Sequence, residues 1–242
     1  MKHLPLTAAL LIVFAGCSTQ DLTKVLEAAG QTTSGPAPLT NSEVINGLRE
    51  ALRTGTERTV QATSATDGFW NNARIRVPFP AEAMKVKTTL EGIGMKKPVE
   101  DFERTLNKAA EEATKEAVPV FVDAITSMSI TDGFAILNGG EQAATNFLKE
   151  KTTATLITKF KPVVAKATQK VALSNYWQPL ASAYNNAGLV TGAKPVDPDL
   201  DQYVTQKAID GLFVMLADEE KKIRKDPLAR TTDLLRRVFG QQ

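Results

Sequence analysis

The sequence predicts an all-α domain of roughly nine or ten helices, with one short extended segment near residues 73–78. Two observations predict this fold class. Apolar residues recur at helical spacing along most of the chain, and helix-capping patterns precede several of these stretches. The hydrophobic content of 43% and the charged content of 23% are typical of a folded chain rather than a disordered one. We expect a single helical domain over residues 40–242.

The N-terminus reads as an export signal that ends at Cys17, the only cysteine. The apolar stretch over residues 8–16 is too short to span a bilayer, so residues 1–16 are expected to be a secretory signal peptide. The tetrapeptide Phe14-Ala-Gly-Cys17 resembles the lipobox of bacterial lipoproteins, in which cleavage precedes a cysteine that is then acylated. The alternative is an ordinary signal peptide that merely contains a cysteine.

Acylation of Cys17 would fasten the protein to a membrane, because two or more acyl chains give lasting attachment. Ser18 follows the cysteine, where enterobacterial lipoproteins that stay at the inner membrane carry Asp. We therefore expect the periplasmic side of the outer membrane in a Gram-negative bacterium. Residues 17–39 have loop composition toward their end and are expected to form a flexible tether that spans roughly 25 Å.

The first helix of the domain is expected to begin at a capping box of Thr40 and Glu43 and to run to about Thr63. The stretch 64–80 breaks the helical pattern and contains the extended segment. A short helix over 81–91 follows, because a proline precedes it and glycines follow it.

The clearest apolar stripe runs from Pro98 to Ile125, and Pro119 is expected to kink this helix or to split it in two. Thr131 is expected to cap a short helix that ends at a pair of glycines. The remaining helices are predicted over residues 141–151, 156–171, 176–186, 199–225 and 231–238.

The side chains of the mature protein exclude catalysis and metal binding that depend on histidine or cysteine. His3 is the only histidine and would leave with the signal peptide, and an acylated Cys17 has no thiol. Triads with histidine, histidine- or thiolate-bound metals and disulfides are therefore excluded from the mature chain. The formal net charge of +2 gives no field that attracts nucleic acid. We expect no metal, no cofactor and no recognised catalytic motif.

The stretch that contains the extended segment is also the main candidate for ligand binding. Trp70, Asn71, Asn72, Arg74 and Arg76 bring one large aromatic ring, two amides and two fixed cations together, a set that suits a carboxylate, a phosphate or a sugar. The alternative is a structural loop whose aromatic residues plug the bundle and whose arginines pair with helix carboxylates.

Two further groups of residues are open to two interpretations. Tyr176 and Tyr184 share one helix face and are candidates to line an apolar or saccharide pocket, although aromatic residues at this spacing usually belong to a core. Glu111, Glu112 and Glu116 cluster near Asn107 and are candidate acid and base for glycoside hydrolysis. Solvated pairing with lysines four residues away explains most of this pattern.

The segment from Lys221 to Arg237 is locally basic and is a candidate for contact with anionic envelope polymers. Its cations mostly follow carboxylates by four residues, as Arg224 follows Glu220. This order favours i,i+4 pairing on a solvated helix face.

Several short segments together resemble a bacterial domain-of-unknown-function family, number four-one-nine-seven, over roughly Leu39 to Gly240. The resemblance implies a Gram-negative, predominantly helical, exported protein, and it implies no established activity. The segments that carry it are Asn107–Glu111, Pro119–Ile125, Ile136–Gly140, Tyr203–Thr205, Gly211–Phe213 and Arg230–Leu235.

The leading hypothesis is a non-enzymatic lipoprotein of the outer membrane that binds an envelope protein or a small-molecule ligand. The first alternative is a helical module for lipids or apolar small molecules, which needs a sizeable cavity between helices. The second is a carboxylate-based glycan hydrolase, which needs two carboxyl groups roughly 5–10 Å apart across a cleft.

Overall fold

The computed structural model describes residues 39–81, 84–169, 177, 182, 185, 186, 189, 195, 199–226, 229 and 232–239. Within these residues every element longer than one turn is an α-helix, which confirms the predicted all-α class. The helices are α1 Asn41–Thr63, α2 Met84–Gly92, α3 Lys96–Thr114, α4 Ala117–Thr126, α5 Ile130–Leu137, α6 Ala143–Thr168, α7 Leu200–Lys225 and α8 Asp233–Phe239.

The described residues form eight helices, which does not match the predicted nine or ten. The segments 141–151 and 156–171 belong to the single helix α6. The hydroxyls of Thr152 and Thr153 donate to carbonyls four residues earlier, at 2.6 Å each, so these threonines continue the helix instead of ending it. The predicted helix over 176–186 lies mostly outside the described residues.

The predicted capping box of α1 is confirmed. The Glu43 backbone N–H donates to the Thr40 hydroxyl at 3.2 Å, and the Thr40 N–H donates to the Glu43 carboxylate at 2.8 Å. This bond from the Thr40 backbone is the main reason why the pKa of Glu43 lies below its ordinary value.

The break at Pro119 is confirmed as a split between two helices. Pro119 lies in the first turn of α4, where a missing N–H leaves no intrahelical bond unmade. The predicted cap of α5 at Thr131 is wrong, because Ser129 occupies that position and forms a capping box with Asp132. Bonds from the Ser129 hydroxyl and backbone lower the pKa of Asp132.

The core lies where α3, α6 and α7 pack together, with α1 against α7. Four phenylalanines are completely buried, and burial of each such side chain stabilises the fold by about 1.5–3 kcal/mol. They are Phe69, Phe102, Phe121 and Phe160. Between α1, α6 and α7 lies a cavity of about 30 Å³, which holds one or two water molecules at most.

No single described helix has both the length and the apolar character that a membrane span requires. One bent pair, 96–126 with 130–137, meets the criterion on length and composition alone, and its two parts lie at 107° to each other.

Candidate functional site

The loop over 64–80 crosses one side of the helical core. Its first turn is tight, because a Cβ atom at Gly68 would lie 2.5 Å from the carbonyl oxygen of Ala62. Asp67 adopts a positive φ of 58°, a conformation that Asp tolerates better than most residues. These turns direct Phe69 into the core, where its ring packs directly on Gly211 of α7.

The predicted extended segment within this loop is not a strand. Residues 73–75 form a turn, closed by N–H bonds from Ile75 and Arg76 to the carbonyl of Asn72 at 3.1 and 2.8 Å. Apolar and charged residues nevertheless alternate between the core and the solvent here. Ile75 and Val77 are buried, and the arginines at 74 and 76 are exposed.

Three polar side chains of α3 hold the loop in place. Glu103, Asn107 and Glu111 are spaced four residues apart, so they lie on one helix face, and all three are buried. We call this row the loop clamp. The interpretation of Glu111 as a solvated partner of a lysine is wrong, because its carboxylate faces the loop backbone.

Glu111 binds the start of the loop. Its Oε1 atom accepts the backbone N–H of Phe69 at 3.2 Å, and the backbone N–H groups of Trp70 and Asp67 also bond to the carboxyl group. Burial raises the pKa of Glu111 above its ordinary value, and these amide bonds only partly oppose that effect. Glu111 is therefore a carboxylate surrounded by backbone donors.

Asn107 binds the end of the loop. Its Oδ1 accepts the N–H of Val77 at 2.8 Å, and its Nδ2 donates to the Val77 carbonyl at 2.8 Å. Nδ2 also donates to the carbonyl of Glu103 at 2.8 Å. The amide side chain thus satisfies both backbone groups of Val77, as a neighbouring strand would do.

Glu103, the third residue of the row, forms ion pairs with two cations. Its carboxylate accepts from the Lys87 amine at 2.6 Å and lies 3.7 Å from the guanidinium of Arg76. Glu103 therefore ties the loop and helix α2 to the same point of α3.

Five of the candidate ligand-binding residues lie in the loop, and most of these five bond to the protein itself. The guanidinium groups of Arg76 and Arg104 lie 3.5 and 4.4 Å from the centroid of the half-exposed Trp70 ring. Arg74 binds both carboxylate oxygens of Asp218, one of them at 3.2 Å. These contacts match the structural-loop interpretation, in which the arginines pair with helix carboxylates.

The two asparagines differ. The Oδ1 of Asn72 accepts the N–H of Arg74 at 3.1 Å, whereas Asn71 is exposed and donates its backbone N–H to the Asp67 carbonyl at 2.9 Å. Three other candidates, Cys17, Tyr176 and Tyr184, lie outside the described residues.

A second buried cluster was interpreted from sequence as a solvated ion pair. Glu220 and Arg224 of α7 form an ion pair at 2.9 Å, with side chains only 7% and 12% exposed. The Glu220 carboxylate accepts the backbone N–H groups of Ala144 and Thr145 at 3.0 and 2.8 Å. The Arg224 guanidinium donates to the carbonyl of Ile136 at 2.8 Å.

We call this pair the junction clamp. It binds backbone groups at the ends of two helices, the N-terminus of α6 and the C-terminus of α5. The N-terminus of α6 has no side-chain cap of its own at Gln142, and Glu220 supplies the missing acceptor. Arg224 places a cation at the C-terminus of α5. Both charges therefore complement the helix dipoles that they meet.

A large surface groove lies between α3 and α6, at the foot of the loop. It has a volume of about 830 Å³, and we call it the α3–α6 groove. Lys108 and Glu112 line it from α3, and Pro162, Val163 and Lys166 line it from α6. Nothing in the sequence marks this groove, because its two walls are more than 40 positions apart in the chain.

The aspartates that precede α7 have structural roles. Asp199 caps α7 through the Gln202 N–H at 2.9 Å and pairs with Lys161 at 2.7 Å, and these contacts lower its pKa. Asp201 accepts the hydroxyl of Thr168 at 2.7 Å. Within the described residues, no group of three histidine, cysteine or acidic side chains is arranged to hold a metal ion.

One family model matches the chain. Its description is "Protein of unknown function (DUF4197)", and it covers residues 38–240. No curated protein and no solved structure matches.

Proposed function

For this chain, which belongs to the DUF4197 family, we propose the role of a non-enzymatic binding protein of the cell envelope, anchored to the outer membrane through Cys17. The lipobox-like tetrapeptide supports the anchor. The α3–α6 groove supports binding, because its volume of about 830 Å³ is within the range of known ligand sites.

The role of Glu111 is the observation that favours binding over hydrolysis. A glycosidase acid must present its proton to a bound sugar. The Glu111 carboxylate instead accepts loop N–H groups, and its neighbour Glu112 binds Lys115 through both oxygens, at 2.7 and 2.8 Å. Both carboxyl groups therefore already have partners inside the protein.

The closed packing of the core favours a surface site over an internal one. The cavity between α1, α6 and α7 is about 30 Å³, so an apolar ligand there would have to displace core side chains. A binding function of the described domain is for this reason assigned to the surface groove.

The anchor is tested by labelling the full chain with radioactive palmitate in a Gram-negative host and separating the two membranes. We expect label on the wild type, recovered with the outer membrane, and none on Cys17→Ser, which is recovered in the soluble fraction. Ser18→Ala is the matched control and keeps the label. An unlabelled wild type, or identical fractionation of the Cys17→Ser form, would contradict the proposal.

A further inference from the structure

The charges of the α3–α6 groove are not balanced within the protein. The amine of Lys115 binds both oxygens of Glu112, so these two residues neutralise each other. Lys108 of α3 and Lys166 of α6 form no ion pair among the described residues, and both are exposed. Two like charges thus face one groove from two different helices, and an anion between them would relieve their repulsion.

The remaining carboxylate does not offset these lysines as a surface acid would. Glu111 also lines the groove, but its carboxylate accepts backbone N–H groups of the loop and its side chain is buried. Burial also raises the pKa of Glu111, so this carboxyl group loses its negative charge at a higher pH than an ordinary glutamate does.

The other wall of the groove is apolar. Pro162, Val163 and Ala167 line it along α6, adjacent to Lys166. Pro162 has no N–H group, so it can offer a ligand only carbon surface at that position. On the opposite side, Ser64 and Thr66 add two hydroxyl groups at the foot of the loop. The groove therefore combines cations, hydroxyls and an apolar strip.

Resting on the proposed binding function, we propose that the α3–α6 groove binds one anionic amphiphile, with the acidic head between Lys108 and Lys166 and the apolar chain along the α6 strip. The arrangement of cations beside carbon surface matches a lipid with a phosphate head better than a free phosphate or a neutral sugar.

The test titrates the full chain, as the Cys17→Ser variant, with monomeric dihexanoyl phosphatidylglycerol and follows the heat of binding. We expect saturable binding of one molecule per chain. Dihexanoyl phosphatidylcholine, which has the same chains and no net charge, should bind at least tenfold more weakly. An excess of inorganic phosphate should not displace the glycerolipid, since phosphate lacks the apolar chain.

The variant pair locates the site. Lys108→Gln/Lys166→Gln should weaken binding at least tenfold, while Lys85→Gln/Lys149→Gln, which removes the same charge from exposed positions elsewhere, should change it less than twofold. All four lysines are on the surface, so equal melting temperatures are expected for both double variants.

Three results would overturn the inference: no saturable binding, equal affinity for the two lipids, or equal loss in both double variants. Displacement by inorganic phosphate alone would also overturn it, because the groove would then bind a free anion. None of these results affects palmitate labelling, so a labelled protein that binds no lipid leaves the anchor standing and removes only this ligand.

Discussion

The loop clamp and the junction clamp both hold backbone N–H groups with a buried glutamate, but they differ in what balances the charge. Glu220 has Arg224 beside it, whereas Glu111, among the described residues, is bound by backbone donors and lies near the carboxylate of Asp67. Burial therefore raises the pKa of Glu111. The comparison shows that a buried glutamate can be stabilised in two ways. At the junction clamp its charge is balanced by an ion pair, and at the loop clamp it is bound by backbone amide dipoles.

The largest effect is expected at the junction clamp. Glu220→Ala should lower the free energy of unfolding by about 3–5 kcal/mol, because it leaves the Arg224 charge and two backbone N–H groups buried without an acceptor. Urea denaturation measures this loss. Glu112→Ala, which removes an exposed ion pair, is the control and should cost less than about 1 kcal/mol. Equal losses in the two variants would show that the junction clamp is not buried.

A smaller loss is expected at the loop clamp. Glu111→Ala should cost about 1–3 kcal/mol, since the loop N–H groups lose their acceptor while no cation is left unpaired. Hydrogen exchange should show faster exchange of the Phe69 amide, with Ala144 unchanged. If both amides exchange faster, the two clamps are not independent.

The loop clamp also has a distinct dependence on pH. Because the pKa of Glu111 in the folded protein lies above its ordinary value of 4.5, folding favours the protonated form. The stability that the protonated Glu111 contributes is fully present below pH 4.5 and is lost as the pH rises through the pKa of Glu111 in the folded protein. Wild type should therefore lose stability relative to Glu111→Gln as the pH is raised from 4 toward 7, in urea titrations at each pH. A difference in unfolding free energy between the two proteins that does not change with pH would contradict the raised pKa of Glu111.

The smallest effect is expected at the Trp70 ring. Trp70→Ala removes contacts with two guanidinium groups that remain hydrated, so the loss should be about 1 kcal/mol or less. The change should leave the exchange rates at Phe69 and Val77 unaltered, because these backbone groups are held by α3. A loss as large as that of Glu111→Ala would assign the loop's stability to its aromatic residue instead.

The helices were predictable where their signals are local. The capping box of α1 spans four residues, and the break at Pro119 follows from one missing N–H group. The cap of α5 was misplaced by two residues, because Ser129 and Thr131 both suit that role and only the position of Asp132 decides between them.

The clamps were not predictable, since their partners are far apart in the chain. Glu111 binds Phe69 across 42 positions, and Glu220 binds Ala144 across 76. In sequence, a buried glutamate with a lysine or arginine four residues away looks the same as a solvated pair. A periodic pattern identifies the inward face of a helix, but it does not reveal which polar side chains on that face meet a distant backbone.

The cap that α6 borrows from Glu220 has a consequence for the order in which the chain matures. Translation reaches the end of α6 well before residue 220, so the first turn of that helix lacks its acceptor until synthesis is nearly finished. A nascent chain, or one cut short before α7 is complete, therefore leaves the backbone N–H groups of Ala144 and Thr145 without their Glu220 acceptor. The first turn of α6 is therefore capped only once α7 has been synthesised.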